Sequence, residues 1–254
     1  METLMNFVTV IMAAGKGTRM TSDLAKVLHP LNGQPMIHYV IQLARNLGSD
    51  RVIAIIGHQK ERVQEVLQNE HIEFAIQDPQ LGTGHAVMQT EQLLHTYDGP
   101  VLVLSGDVPI LTHHTMKELI QLHIHRKAIA TVLTTHMPDP TGYGRVIRNA
   151  DGSVRKIVEH KDATDEEKKI KEINSGIYMF QSRDLFDALK KINSKNAQNE
   201  YYLPDVLKIF IDEGKTVCAY ITEDHHEISG INTVDQLKEA EFILNSKTQI
   251  TNLK

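Results

Sequence analysis

Residues 13–20 read AAGKGTRM and follow a short apolar run, FVTVIM (7–12), so two glycines and two cations crowd into eight positions. Glycine lets backbone N–H groups approach an anion closely, and a glycine loop after a strand is a usual phosphate cradle. Two familiar phosphate loops do not fit. A dinucleotide fingerprint needs glycine where Met20 stands, and a Walker loop needs four residues between its glycines, whereas one separates Gly15 from Gly17. The loop is therefore a third kind of anion site or a plain turn. Arg19 and Lys26 add fixed positive charge beside it. A second stretch, SGDVP (105–109), places Asp107 just past another apolar run. Taken alone, Asp107 is equally a capping or turn aspartate. Opposite a phosphate it needs a divalent cation between the two charges, which makes it a candidate Mg²⁺ ligand. Two cations and a metal suit a triphosphate and the pentavalent state it passes through. QLGTGHA (80–86) offers Gly82 and Thr83 at a helix N-terminus, where a base or phosphate can meet backbone N–H groups.

No Ser/His/Asp or Cys/His constellation accompanies these loops. Fourteen histidines invite a metal reading, yet the pairs at 113–114, 123 with 125, and 225–226 lack carboxylates at ligand spacing. They are read as solvated surface histidines. The single cysteine, Cys218, excludes a disulfide framework or a thiolate zinc cluster within the chain. A net charge of −5 argues against non-specific nucleic-acid binding. No stretch approaches the roughly 20 apolar residues of a membrane span, so a cytoplasmic protein with neither nucleic-acid nor membrane partner is expected.

The elements that must position these loops follow from hydrophobic patterning. The runs at 7–12, 51–57, 72–76 and 101–105 read as strands buried on both faces. Amphipathic segments at 36–48, 60–68 and 84–97 read as helices between them, the first stopped by Gly48. Such alternation through residue 125 implies a parallel sheet with helices on both faces. Ligands of such sheets bind beyond the carboxyl ends of the strands, which singles out the loops at 13–20 and 105–109. Four further strand-like runs, 128–136, 144–149, 154–160 and 173–180, come without long helices and predict antiparallel pairing, with a hairpin turn at 150–152. The charged segment 162–172 reads as a solvated excursion. Helices resume at 182–192, 203–214 and 233–246, the last capped by Thr233.

AAGKGTRM, SDLAKVLH, QLGTGHA, GDVP, DPTGYGR, VEHKDAT, EIN followed by SGIY, and NEYYLPDV occur in this order. Together they resemble the sugar-phosphate nucleotidyltransferases, and over residues 7–240 the uridylyltransferase half of the bacterial bifunctional N-acetylglucosamine-1-phosphate uridyltransferase/glucosamine-1-phosphate acetyltransferases. GxGTRM and GDxP mark only the wider family. DPTGYGR, VEHKDAT and EINSG point to the N-acetylglucosamine branch. The resemblance implies an α/β, Rossmann-like, mixed and mostly parallel sheet with a smaller antiparallel sugar-binding lobe. Residues 1–254 form one nucleotidyltransferase domain on this reading: a nucleotide-binding part (1–125), a sugar-binding part (126–232) and a C-terminal helix (233–254).

The activity implied is formation of UDP-N-acetylglucosamine and pyrophosphate from UTP and N-acetylglucosamine 1-phosphate, with Mg²⁺. Ala13, Ala14 and Gly15 then hold uracil and ribose through their backbone, while Arg19 and Lys26 reach the phosphates and act in catalysis. Gln77, Gly82 and Thr83 read the uracil edge. Ser105 and Gly106 border the nucleotide, and Ser105 stands where the family often has tyrosine, which keeps the backbone contacts and removes a ring. Asp107 and Asn232 bind the metal, Asn232 by resemblance alone. Gly144, Glu159 and Asn174 hold the acetamido sugar. The hexapeptide repeats of the family's left-handed β-helix acetyltransferase domain are missing, and that portion carries the family's trimer contacts, so a monomer is expected. Another sugar or base, or a non-catalytic nucleotide-sugar-binding module, are the competing readings.

Overall fold

The computed structural model describes residues 6–17, 20 and 22–251. The first half alternates as its patterning requires: β1 (Val8–Ala13), a short hairpin of β2 (Pro30–Leu31) and β3 (Gln34–Pro35), α1 (Met36–Asn46), β4 (Arg51–Ile56), α2 (Lys60–Leu67), β5 (Glu73–Ile76), α3 (Thr83–Met88), α4 (Glu91–Leu94), β6 (Pro100–Ser105) and α5 (His113–His125). The second half holds β7 (Ala130–His136), β8 (Arg145–Arg148), β9 (Val154–Val158), α6 (Asp165–Lys168), β10 (Glu172–Gln181), α7 (Ser182–Leu189), α8 (Asp205–Asp212), β11 (Val217–Thr222) and α9 (Val234–Thr251). The main sheet runs β11-β7-β10-β6-β1-β4-β5, with β8 and β9 joined through β10. β1 pairs in parallel with β4 and β6, and β10 pairs antiparallel with β6, β7 and β8.

Period-two alternation sorts the core into two layers. Ile11 of β1, Ala54 and Ile56 of β4, and Leu102 and Leu104 of β6 face one layer, covered by α1, α2 and α5. Val8 and Val10, Ile53 and Ile55, and Val101 and Val103 face the other, covered by α3, α4, α7 and α8. Each large apolar side chain taken from water contributes about 1.5–3 kcal/mol, so the two-sided burial of β1, β4 and β6 makes them the rigid base of the molecule. α1 ends before Gly48, whose N–H bonds the Arg45 carbonyl at 2.9 Å. Thr233 accepts from the Gln236 N–H at 3.2 Å, and the Gln236 side chain returns the bond at 3.1 Å, a reciprocal cap on α9.

Four details depart from the sequence reading. The helix expected over 84–97 is two, α3 and α4. At the break Thr90 is buried and its hydroxyl donates to the Val87 carbonyl at 2.8 Å, which competes with helix continuation. β11 was not expected. It pairs in parallel with β7 at the sheet edge, and its half-buried, weakly patterned VCAYIT gives little periodic signal. The excursion at 162–172 contains α6, closed by a capping box between Thr164 and Glu167. The β2–β3 hairpin turns at Asn32-Gly33, an Asn-Gly signal that the sequence does carry.

His123 corrects the reading of surface histidines. It is buried on α5, and its ring nitrogens lie 2.9 Å from Thr131 Oγ1 and 3.1 Å from the Gln181 amide nitrogen. Its helix neighbour His125 is exposed, as two positions of separation on a helix dictate.

Candidate active site

The carboxyl ends of β1 and β6 are adjacent, and the loops that leave them form the floor of the site. Gly106 N–H donates to the Met12 carbonyl at 2.9 Å, extending the β1–β6 ladder by one bond before the chain turns at Asp107. Asp107 carbonyl accepts from Ile231 N–H at 2.9 Å, which draws the segment before α9 to the same edge. Lys26 arrives from a short 3₁₀ turn, Lys26–Leu28, after the first loop. Its Nζ donates to Asn232 Oδ1 at 2.7 Å and pairs with Asp107 Oδ2. The ion pair is largely enclosed, with Lys26 12% and Asp107 23% exposed. Three residues from distant parts of the chain thus meet at one point. Asn232 is oriented by its own amide, which donates to the Gly230 carbonyl at 2.8 Å, and by its backbone N–H, bonded to Gln236 Oε1 at 2.7 Å.

The first loop lies over Lys26. Gly17 has φ +64°, and a Cβ there would fall 2.6 Å from Lys26 Cβ, so both the backbone conformation and the close approach require glycine. Ala13 and Ala14 are buried, Ala14 carbonyl accepting from His58 N–H at 3.2 Å, while Gly15 is exposed with open space around it. Arg19 lies outside the described residues.

Gln77, Gly82 and Thr83 gather at the entry to α3. Gln77 is buried, and its amide donates to the Gly82 carbonyl at 2.9 Å and stands 3.2 Å from His85 Nδ1. Burial holds the His85 pKa below its ordinary value. Gly82 takes φ +104°, where a Cβ would sit 2.6 Å from the Tyr201 carbonyl oxygen. This turn is stitched to the segment before α8: Tyr201 N–H donates to Leu81 carbonyl at 2.8 Å, Gly84 N–H to Tyr201 carbonyl at 2.7 Å, and Leu203 N–H to Thr83 Oγ1 at 3.0 Å.

A cavity of about 180 Å³ opens beside these loops, and its lining includes Met12, Thr83, Gly144, Glu159, Asn174 and Tyr178. Its position follows from β10. The register of β10 against β7 shifts between Asn174 and Tyr178, and the irregular stretch brings Gly176 next to Ser105 at the end of β6. Asn174 N–H donates to the Gly144 carbonyl at 2.9 Å. Its side-chain oxygen accepts from the Tyr178 hydroxyl at 2.9 Å and from Gly176 N–H at 3.1 Å. With the oxygen so occupied, the amide nitrogen is the polar group that Asn174, a lining residue, has left to offer. Glu159 lies against Gly144, and its pKa is raised to about 7 by burial and then by the carboxylates of Asp205, Asp162 and Glu200. Tyr178, like Met12, is a wall residue that sequence reading missed. It sits four positions beyond Asn174 in a strand where aromatic residues are ordinary core, so nothing in its spacing marks it.

Gly144, Glu159 and Asn174 therefore share one cavity, and Lys26, Asp107 and Asn232 share one polar cluster. Met12 lines the cavity, and its carbonyl accepts the bond from Gly106, the residue before Asp107. The donor set at the cluster fits a hard divalent cation, since a carboxylate oxygen and an amide oxygen already converge on a positive group. No group of three or more His, Cys, Asp or Glu residues at metal-binding spacing occurs among the described residues, and Mg²⁺ needs only one or two protein ligands. Among the described residues, no helix is long and apolar enough to cross a membrane.

Comparison with known proteins gives the family and the fold. The chain is 49% identical over 244 residues to the bifunctional protein GlmU of Exiguobacterium sibiricum, covering 96% of this chain and 54% of that protein. It is 48% identical over 248 residues to the bifunctional protein GlmU of Bacillus cereus, covering 98% of this chain and 54% of that protein. The chain thus spans about half the length of these curated relatives. A solved structure of UDP-glucose pyrophosphorylase complexed with UDP-glucose superposes with a TM-score of 0.74 at 19% identity, over 96% of this chain and all of that one, which establishes the fold. The nucleotidyl transferase family model matches residues 8–230, and the chain belongs to that family.

Proposed function

We propose that this chain transfers a uridylyl group from UTP to N-acetylglucosamine 1-phosphate, giving UDP-N-acetylglucosamine and pyrophosphate. The observation that carries the reading is that the Lys26–Asp107–Asn232 cluster, just past the end of β6, and the Gly144–Glu159–Asn174 cavity, lined by Met12 of β1, lie at the carboxyl ends of two adjacent strands. Family membership and the near-half identity to the GlmU proteins support it.

In this reading, an oxygen of the sugar 1-phosphate attacks the α-phosphorus of UTP, and the new P–O bond forms as the bond to pyrophosphate breaks. The second pKa of a phosphate monoester is about 6, so the nucleophile is largely ionised at neutral pH and needs no general base. Catalysis is then positioning and charge neutralisation. Lys26 and Arg19 supply fixed positive charge to the phosphates. Ala13, Ala14, Gly15, Gln77, Gly82 and Thr83 seat the nucleoside, with Ser105 and Gly106 at its border. Asp107 and Asn232 would hold Mg²⁺, which neutralises polyphosphate charge when bound. The Asn174 amide and Glu159 carboxyl hydrogen-bond the acetamido sugar.

Pyrophosphate release measured over a panel of nucleotides and sugar phosphates tests this. A site built to hydrogen-bond an acetamido group leaves polar groups unpaired when that group is absent, at about 1–3 kcal/mol each. The expected result is a roughly ten- to hundredfold preference in kcat/KM for N-acetylglucosamine 1-phosphate over glucose 1-phosphate. Equal use of the two would return the assignment to the wider family.

A further inference from the structure

We propose that Lys26 and the divalent cation exclude one another at Asp107 and Asn232, so that metal loads fully only when a nucleotide's phosphates draw the Lys26 ammonium away. The inference rests on the assignment of these two residues as metal ligands. Lys26 Nζ already engages both oxygens, Asp107 Oδ2 as an ion pair and Asn232 Oδ1 at 2.7 Å. A divalent ion bound to the same two oxygens would sit about 2.1 Å from each. It would then lie against the ammonium, two like charges competing for one pair of ligands. The ammonium cannot leave without cost. Its side chain is only 12% exposed, so it gives up the ion pair and the hydrogen bond with little water to replace them.

The first loop supplies the way out. Gly17 packs directly on the Lys26 stem, so the ammonium at the end of that stem is within a few rotations of the loop expected to hold phosphate. Phosphate oxygens offer charge-assisted hydrogen bonds in exchange for those given up at Asp107 and Asn232. The same movement clears the two oxygens and carries a cation to the polyphosphate. Lys26 thus acts as a positioning residue for the metal ligands in the free protein and as a phosphate contact once nucleotide is bound.

Manganese serves as the probe, its free-ion electron paramagnetic resonance signal being followed during titration of the nucleotide-free protein. Lys26→Met keeps the unbranched stem under Gly17 and removes the charge. It should bind Mn²⁺ at least tenfold more tightly than the native chain, and adding Asp107→Asn should abolish the gain. Lys26→Met binding no more tightly than the native chain overturns the exclusion. Should that variant fold poorly by circular dichroism, Lys26→Gln gives the same comparison. The metal assignment is checked separately by calorimetry of UTP binding in Mn²⁺ and in chelator. If Asp107→Asn leaves the metal dependence of UTP binding intact, the assignment itself fails; if that dependence is lost while Lys26→Met shows no gain, only the exclusion fails.

Discussion

Glu159 is where residue chemistry and substrate choice meet. Burial first, and then the carboxylates of Asp205, Asp162 and Glu200, raise its pKa to about 7. The folded protein therefore holds a proton on Glu159 between its ordinary pKa and pH 7 that the unfolded chain has released. Stability is present at the acidic end of that window and lost as pH rises through 7. Glu159→Gln removes the loss, so the variant should gain on the native protein between pH 5 and 8, by up to about 3 kcal/mol, as read from denaturant melts. The same variant should blunt the pH dependence of the KM for the sugar phosphate. An ionised carboxylate accepts stronger hydrogen bonds from the sugar, so the native KM should fall more steeply from pH 6 to 8 than the variant's. Asp107→Asn should reduce turnover at least a hundredfold and leave the thermal transition cooperative; full activity in excess chelator would remove the metal from the reaction. At this scale part of the candidate site was legible. The first loop and Asp107 announce themselves by residue type and by following apolar strands, whereas Lys26 taken singly reads as an ordinary surface lysine. Asn232 does not announce itself, because an asparagine before a helix is an ordinary cap signal, and it is the fold, through the Ile231–Asp107 and Lys26–Asn232 bonds, that brings it to the site.

At the scale of elements, α5 is fastened to the sheet by a polar residue within an apolar face. If the Gln181 amide donates to Nε2 of His123, then Nδ1 carries the proton toward Thr131, and one neutral ring ties the helix to β7 and β10. Burial lowers the His123 pKa to about 4. The unfolded chain takes up the proton near 6.5, so this contribution is complete above that pH and disappears as pH falls toward 4. His123→Gln should be less stable than the native chain at pH 7.5, and the difference should shrink by about 2–3 kcal/mol at pH 4.5 in guanidinium titrations. The helices and parallel strands of the first half were legible because period and length agreed there. Where they disagreed the reading failed, as in the break after Gln89, which turns on one hydroxyl, and in β11, an edge strand whose partner β7 lies far back in the chain.

For the whole molecule, the decisive fact is that β10 lies between β6 and β7. The part expected to bind nucleotide and the part expected to bind sugar therefore share one sheet, and pulling them apart would break the pairing of β10 with β6. Residues 1–125 expressed alone would expose the hydrogen-bonding edge of β6 and the apolar side chains that α7 and α8 now cover. This fragment should aggregate or lack fixed tertiary structure by near-ultraviolet circular dichroism. A soluble, cooperatively melting fragment would mean that the two parts are independent. Sequence order hides this insertion, since a strand read as one of an antiparallel group could equally have stood at the edge.

The three bonds that stitch residues 81–84 to residues 201–203 carry a consequence in time as well as in space. The amide protons of Gly84, Tyr201 and Leu203 all lie in bonds between the same two segments, so none can be released without parting the seam. They should take up deuterium in step, as one small unit of opening rather than as three separate loop positions. One of the joined segments is the turn assigned to the base, and the other leads into Leu203 and Pro204 of the cavity assigned to the sugar. Either substrate alone should then slow all three clocks together, and independent exchange at Gly84 and Leu203 would show that the seam opens piecemeal.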